Sequence, residues 1–183
     1  MDYYLSLRDP YLFSWFSCAI PRERPLYVFG CPPDHDRGLL AMGAYLVKRG
    51  FISSLIMCGD KPIYSGSSCV YRGGNAWREE LLQEGVSESH VVVLPYVAGN
   101  TMTEACGIVQ WAHENDHPIF SVAAHFIHIR RAYLTIIEAA LQAYSRDKAL
   151  TRVYPACPPT KAWEGVKLWS QSPSPVTWEN ALR

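Results

Sequence analysis

Short apolar runs alternate with longer amphipathic runs along this chain, and no other feature of the sequence restricts its fold as strongly. The apolar runs have the length of buried strands and lie at residues 26–29, 54–58, 90–94, 118–122 and 149–154. Between them, apolar residues recur at helical spacing over residues 36–49, 75–84, 101–113 and 127–144. Such alternation is typical of βαβ units. It predicts a three-layer, Rossmann-like α/β domain with a mostly parallel sheet of about five strands and helices on both faces.

The length of 183 residues suits one domain around a single core. We therefore assign residues 1–183 to a single α/β domain. Residues 1–24 are interpreted as an N-terminal packing segment, because their apolar stretch is too short to span a membrane and lacks the basic start of a signal peptide. Residues 155–183 form a tail rich in proline and tryptophan. Large aromatic side chains favour burial, so we expect this tail to pack on the domain or to contribute to a homodimer surface.

The composition of the chain indicates which binding partners and which cellular compartment to expect. The 17 basic residues equal the 17 acidic residues, which argues against a broad electrostatic surface for nucleic acid or anionic lipid. The six cysteines include no Cys-x-x-Cys pair, so metal-ribbon and dithiol-redox sites lack their spacing. We expect a soluble, cytoplasmic protein without a membrane span and without a bound metal.

The segments that follow the strands are the expected location of a site, because ligands of open parallel sheets bind beyond the carboxyl ends of the strands. These segments are 30–37, 59–74, 95–104 and 123–131, and the second includes a Gly/Ser-rich loop at 63–74. The first has neither Gly-x-Gly-x-x-Gly nor a Walker lysine, so a standard dinucleotide or P-loop site is not indicated. The chain also lacks a Gly-x-Ser-x-Gly elbow for an activated serine. Cys31 and Cys58, at strand ends, are interpreted as buried core thiols.

Helix capping offers a structural explanation for several acidic residues. Asp34 and Asp36 stand at a helix start, where a carboxylate accepts hydrogen bonds from unpaired amides. Thr101-x-x-Glu104 has the spacing of a capping box. The same helix start can present amides to an anion, so the spacing leaves both roles open for Thr101 and Glu104. For Arg37, two interpretations remain open: its guanidinium group lies in solvent, or it reaches into a cleft.

The segment after the fourth strand combines imidazole and guanidinium groups. His128 and Arg131 are three residues apart, hence on one helix face, where they can bind a phosphate or place a titrating imidazole beside a fixed positive charge. His125 precedes His128 by three residues, but the spacing supplies no third ligand. We therefore predict no metal site.

In order and separation these motifs resemble the SanA/ElyC/YdcF family, over roughly residues 25–155. The residues that carry the resemblance are Gly30, Arg37, Cys58-Gly59-Asp60, Leu82-x-x-Gly85-Val86, Asn100-Thr101-x-x-Glu104-Ala105 and His128-x-x-Arg131-Ala132. The resemblance implies a Rossmann-like fold with a polar cleft, in a family with no established common reaction. It implies that ligand-binding residues are Gly30, Arg37, Gly59, Asp60, Asn100, Thr101 and Arg131, with His128 and Glu104 as catalytic candidates.

Three departures from the family pattern bear on function. Cys58-Gly59-Asp60 stands where Ser-Gly-Gly is usual, and Ala123-Ala124 stands where a Thr-Ser pair is common. Hydroxyl donors are thereby lost, which favours a different ligand or a reduced catalytic capacity. Many relatives also carry an N-terminal membrane segment and act at the bacterial envelope, and residues 1–24 do not match such a segment.

The leading functional hypothesis is an enzyme, a hydrolase or a transferase, that acts on a small anionic metabolite, phosphorylated or nucleotide-linked. Arg37 and Arg131 would hold the anion, the helix start at Thr101 would add amide donors, and His128 or Glu104 would transfer protons. One alternative is a non-catalytic module that binds S-adenosylmethionine or another nucleotide-like ligand. Another is an interaction protein that uses the tryptophan-rich tail.

Overall fold

The computed structural model describes residues 23–96, 100–143 and 152–156, together with two short strands at 167–168 and 176–177. The predicted N-terminal packing segment up to residue 22 lies outside the described residues. So do residues 157–166, 169–175 and 178–183 of the predicted packed tail.

The elements alternate as the sequence pattern predicts. In chain order they are β1 (Arg24–Val28), α1 (Pro33–Lys48), β2 (Ile52–Cys58), β3 (Ile63–Ser65), β4 (Ser68–Tyr71), α2 (Gly74–Gln83), a 3₁₀ turn (Glu88–His90), β5 (Val91–Leu94), α3 (Thr101–Glu114), β6 (Ile119–Ala123), α4 (Phe126–Ala143), β7 (Arg152–Ala156), β8 (Lys167–Leu168) and β9 (Val176–Thr177).

Five strands form one sheet in the order β5-β2-β1-β6-β7, and every neighbouring pair in it is parallel. On one side α1 contacts β2 and α2, while on the other α3 packs along α4, which covers β6 and β7. The central strand β1 is buried from Leu26 to Val28, as is β2 from Leu55 to Cys58. The structure confirms the three-layer, Rossmann-like α/β fold.

The predicted Gly/Ser-rich loop at residues 63–74 is wrong in its central part, because β3 and β4 form an antiparallel hairpin there. The turn uses Gly66 at a φ of 60°, a left-handed conformation that glycine adopts without strain. Tyr71, at the end of β4, is only 3% exposed and anchors the hairpin on the core. Strands of three and four residues are too short to show a clear alternation of apolar and polar side chains.

The other boundaries differ from prediction by a few residues. Strand β1 begins at Arg24, and β7 continues to Ala156 through Pro155. A proline is tolerated in β7 because this strand lies at the edge of the five-stranded sheet. Among the helices of the described residues, none combines the length and the apolar character that crossing a bilayer requires.

Candidate functional site

The crevice between β1 and β6, at the carboxyl edge of the sheet, is the topological switch point of this fold. The chain leaves β5 at one edge and returns through α3 to β6, so the helices that follow β1 and β6 pack on opposite faces. The amide of Phe29 donates to the carbonyl of Ala123 at 2.9 Å and joins the two strand ends. Ligands of open α/β sheets bind at such a point. The residues just after β1 and β6 are therefore the centre of the candidate site.

The carboxyl group of Glu104 enters this crevice from the first turn of α3. Its Oε2 accepts hydrogen bonds from the hydroxyl of Tyr27 at 2.8 Å and from the amide of Gly30 at 3.0 Å. The side chain is buried, and this burial raises the pKa of Glu104 to about 7, although both hydrogen bonds favour the ionised form. A carboxyl with a pKa near neutrality can both donate and accept a proton at physiological pH.

The second carboxyl oxygen of Glu104, Oε1, lies beside Gly30. A Cβ atom at position 30 would lie 3.2 Å from Oε1. Within the described residues, only Oε2 of this carboxyl accepts hydrogen bonds. Oε1 is therefore the carboxyl oxygen that keeps its capacity to accept a hydrogen bond.

The start of α3 is capped differently from the predicted Thr101–Glu104 capping box, which is wrong. The N-cap is Asn100, whose Oδ1 accepts from the amides of Met102 at 2.9 Å and Thr103 at 3.0 Å. The hydroxyl of Thr103 in turn accepts from the amide of Asn100 at 3.0 Å. The box thus lies one residue earlier than its predicted position. This shift leaves the side chains of Thr101 and Glu104 available to the crevice.

Thr101 and His128 lie next to each other at this edge of the sheet. Thr101 Oγ1 lies 3.2 Å from His128 Nε2, and the imidazole packs edge-on against Phe29. Burial, followed by the charge of Arg131, lowers the pKa of His128 to about 4. At physiological pH this imidazole is neutral and acts as a hydrogen-bonding group. Of the two predicted catalytic residues, Glu104 has the pKa better suited to proton transfer.

The two arginines predicted to hold an anion are both exposed. Arg131 lines an open groove of about 580 Å³ between the start of α3 and the middle of α4. Arg37, in the second turn of α1, is not among the residues that line this groove. The structure therefore gives Arg131 a position beside His128 but does not bring the two guanidinium groups into one described pocket.

Gly59 and Asp60, predicted to bind ligand, follow β2 and have separate environments. Gly59 is buried at a φ of 75°; its amide donates to Leu94 at 3.0 Å and its carbonyl accepts from Gly74 at 2.6 Å. These backbone bonds give Gly59 a role in joining β2, β5 and the start of α2. Asp60 is exposed beside it.

The predicted capping role of Asp36 is wrong, and its carboxylate belongs instead to a buried ion network. Helix α1 begins at Pro33 without a side-chain cap, because the N-cap residue Pro32 has no side-chain hydrogen-bond acceptor. Asp36 is fully buried, and its Oδ2 accepts from Arg72 Nε at 2.6 Å and Trp77 Nε1 at 2.9 Å. Burial raises the pKa of Asp36, while these two donors lower it.

The network extends to Glu80, whose Oε2 accepts from Arg72 Nη2 at 2.5 Å. Arg72 follows the hairpin and Glu80 lies on α2, so the ion pairs fasten both elements to α1. No regular spacing in the sequence links these residues, and pattern analysis therefore missed them. The same holds for Tyr27, which reads as an ordinary apolar position of β1.

Two histidines form a second link across the crevice. The rings of His35, on α1, and His125, just before α4, are stacked with centroids 4.4 Å apart and planes 21° apart. Both side chains are buried, and burial, followed by the charge of His35, lowers the pKa of His125 to about 3. Within the ranges that the structure describes, no three His, Cys, Asp or Glu side chains are grouped so as to hold a metal ion.

The thiols at the ends of β1 and β2 are core residues, as expected. Cys31 and Cys58 are both buried. Burial raises the pKa of the Cys31 thiol well above its usual value and that of Cys58 to about 12. Because the thiolate is the nucleophilic form, these side chains are unsuited to nucleophilic attack.

No protein-family model matches the chain, and no curated protein gives a significant match to it.

Proposed function

We propose that this chain is an enzyme, a hydrolase or a transferase, that acts on a small anionic metabolite, with Glu104 as its acid–base residue. One observation carries the proposal: a buried carboxyl with a pKa of about 7 lies at the switch point of the sheet. Its Oε2 is fixed by Tyr27 and Gly30, and its Oε1 lies beside Gly30 at the end of β1. Perturbed carboxyl groups in such crevices are typical of acid–base catalysts.

The chemistry follows from the two protonation states of Glu104. In hydrolysis, the protonated carboxyl gives its proton to the oxygen of the leaving group as the scissile bond breaks. The water oxygen bonds to the electrophilic centre, and the carboxylate accepts the proton that this water releases. In a transfer reaction, the hydroxyl of an acceptor takes the place of water. The carboxyl returns to its starting state in either case.

The anionic character of the substrate is supported by the helix starts at this edge. Helices α3 and α4 both begin here, and the dipole of a helix favours negative charge at its N-terminus, although Asn100 already accepts from the amides of Met102 and Thr103. Asn100 uses its Oδ1 for the cap, and its Nδ2 stays available as a donor. The neutral imidazole of His128 and the guanidinium of Arg131 lie on the adjoining turn of α4.

The motifs that resemble the SanA/ElyC/YdcF family support this crevice as the ligand site. Four of their residues lie at it, namely Gly30, Thr101, Glu104 and His128. A cytoplasmic location belongs to the proposal. It is supported by the described cysteines, which are free thiols, the form that a reducing compartment maintains.

The test begins with ligand-induced stabilisation. Phosphorylated sugars, nucleotides and S-adenosylmethionine are screened by thermal shift, because a ligand that binds the native state raises its melting temperature. Each compound that binds is then incubated with enzyme, and its products are measured by mass spectrometry. We expect Glu104→Gln to lower turnover by about 10²–10⁴-fold, the usual contribution of a general acid–base group, while ligand binding persists.

The matched control is Glu79→Gln, because Glu79 is an exposed carboxylate on α2. This variant should keep the turnover of the wild type. Equal turnover in Glu104→Gln and wild type would refute the catalytic role of Glu104. Binding by wild type without turnover of any bound compound would replace the enzyme with the non-catalytic, nucleotide-binding module.

A further inference from the structure

An apolar stripe is exposed on α4, the helix that carries His128 and Arg131. Leu134 is 54% exposed and Leu141 is 48% exposed. These residues are seven apart, so they lie on one side of the helix, two turns from each other. Met102, at the start of α3, is 38% exposed and lines the groove that also includes Leu134. Most exposed aliphatic side chains are scattered singly on protein surfaces, whereas Met102 and Leu134 line one groove and Leu141 continues the same side of α4.

Charged residues flank Leu134 with opposite signs on its two sides. Arg130 and Arg131 lie one turn before Leu134, and Glu138 lies one turn after it. All three side chains are exposed and border the groove. Within the described residues, none of the three forms an ion pair; Glu138 Oε1 accepts a hydrogen bond from Gln142 Nε2 at 2.7 Å, which leaves its Oε2 for a cation. We call Met102, Arg130, Arg131, Leu134, Glu138 and Leu141 the α4 face.

This arrangement is complementary to itself. A twofold axis placed at Leu134 reverses the direction of the helix, so the turn that carries Arg130 and Arg131 meets the turn that carries Glu138 in a second copy. The same operation brings Leu134 against Leu134 of that copy. A twofold interface requires one surface patch that matches its own rotated image. An apolar centre with opposite charges at equal distances on either side fulfils this requirement.

We propose that the α4 face binds the α4 face of a second copy of this chain and forms a twofold dimer with antiparallel α4 helices. The 18 residues of α4 extend about 27 Å, which allows several turns of each helix to contact the other. The interface adjoins the crevice, since Met102 follows Thr101 and Arg131 lies one turn after His128. The dimer goes beyond the proposed function and does not depend on it.

The first experiment measures mass in solution by light scattering over a range of protein concentrations. Wild type is expected to show twice the monomer mass, and Leu134→Glu is expected to show the monomer mass, because it places like charges at the twofold axis. Leu82→Glu is the matched control, since Leu82 is 36% exposed on α2, away from the α4 face, and this variant should stay dimeric. Circular dichroism establishes that each variant is folded.

Charge reversal tests the antiparallel arrangement. Glu138→Arg alone and the Arg130→Glu, Arg131→Glu pair should each weaken dimerisation by at least tenfold in the dissociation constant. The variant that combines all three changes should recover it, because both signs are exchanged together. Recovery would not occur in a dimer built on another face.

Three results would overturn the proposal: a monomeric wild type at every concentration, a dimer that persists in Leu134→Glu, or a combined charge variant no tighter than its two parents. A monomeric wild type would indicate that another part of the same chain covers the α4 face. None of these results bears on Glu104, whose role is measured by turnover.

Discussion

The hydroxyl of Tyr27 lies 2.8 Å from Oε2 of Glu104, although 77 positions separate the two residues in the chain. Tyr27 belongs to the central strand of the sheet, and Glu104 belongs to the helix that crosses from β5 to β6. The contact fixes the carboxyl at the end of β1. Burial and the charge of Glu104 both raise the pKa of Tyr27, so the tyrosine stays protonated and donates its proton in the hydrogen bond to Glu104.

Tyr27→Phe should raise the pKa of Glu104 above about 7. The hydroxyl stabilises the ionised carboxylate, so its removal favours the protonated form, and a change of about one pKa unit is expected from a single donor. A ¹³C NMR titration of the Glu104 carboxyl measures this change. Tyr64→Phe, at an exposed position of β3, is the control and should leave the titration unaltered. A pKa that is unchanged or lower in Tyr27→Phe would contradict the hydrogen bond.

Glu104 should make the protein less stable as the pH rises from about 4.5 to about 7. In this range the unfolded chain has released the proton of Glu104 and the native state still holds it, so raising the pH favours unfolding. Glu104→Gln removes this dependence. The free energy of unfolding of the variant, relative to wild type, should increase by up to about 3 kcal/mol between pH 4.5 and pH 8.

Urea denaturation of both proteins across this pH range measures the difference. The comparison isolates Glu104, because His125 and His128 titrate identically in the two proteins. A difference that is constant with pH, or that falls as the pH rises, would show that the pKa of Glu104 is not raised.

Asp36→Ala should destabilise the fold by about 1–3 kcal/mol, because Arg72 loses its buried partner but keeps its ion pair with Glu80. The variant also removes the acceptor of the Trp77 indole N–H. Glu88→Ala is the matched control: its partner Arg78 is bound in an exposed ion pair, whose loss should cost less than about 1 kcal/mol. Denaturant unfolding measures both. Similar costs for the two variants would mean that the Asp36 network contributes little.

Gly30→Ala should close the approach to Oε1 of Glu104. The new Cβ would lie 3.2 Å from Oε1 and 3.4 Å from the ring of Tyr71, so these buried neighbours would have to move by a few tenths of an ångström. We expect the pKa of Glu104 to rise further, since the methyl group excludes water from the carboxyl. Affinity for any ligand that contacts Oε1 should fall at least tenfold, as measured by calorimetry. Undiminished affinity in a folded Gly30→Ala variant would show that ligands do not approach through this space.

The fold follows from the sequence because its signals are local and repeated. Buried strands need apolar runs, and the helices that cover them need one apolar side, so each βαβ unit leaves its own pattern. The positions of Gly30, Thr101 and His128 at one edge follow in turn from parallel strand direction. The hairpin at β3–β4 was missed because its strands are too short to show a pattern in the sequence. The exact cap of α3 was missed because the neighbouring residues Asn100 and Thr101 are both favourable N-cap residues.

The sequence by itself thus determined the parallel sheet and the edge at which polar residues gather. The tertiary structure alone decided what those residues do. It turned Asp36 from a predicted cap into a buried partner of Arg72, and it buried Glu104 against Tyr27 and Gly30, which brings its pKa to about 7. A pKa depends on the desolvation and the hydrogen bonds of a side chain, and both come from residues far away in the chain. The spacing of residues along the chain therefore cannot predict the desolvation or the hydrogen bonds of a side chain.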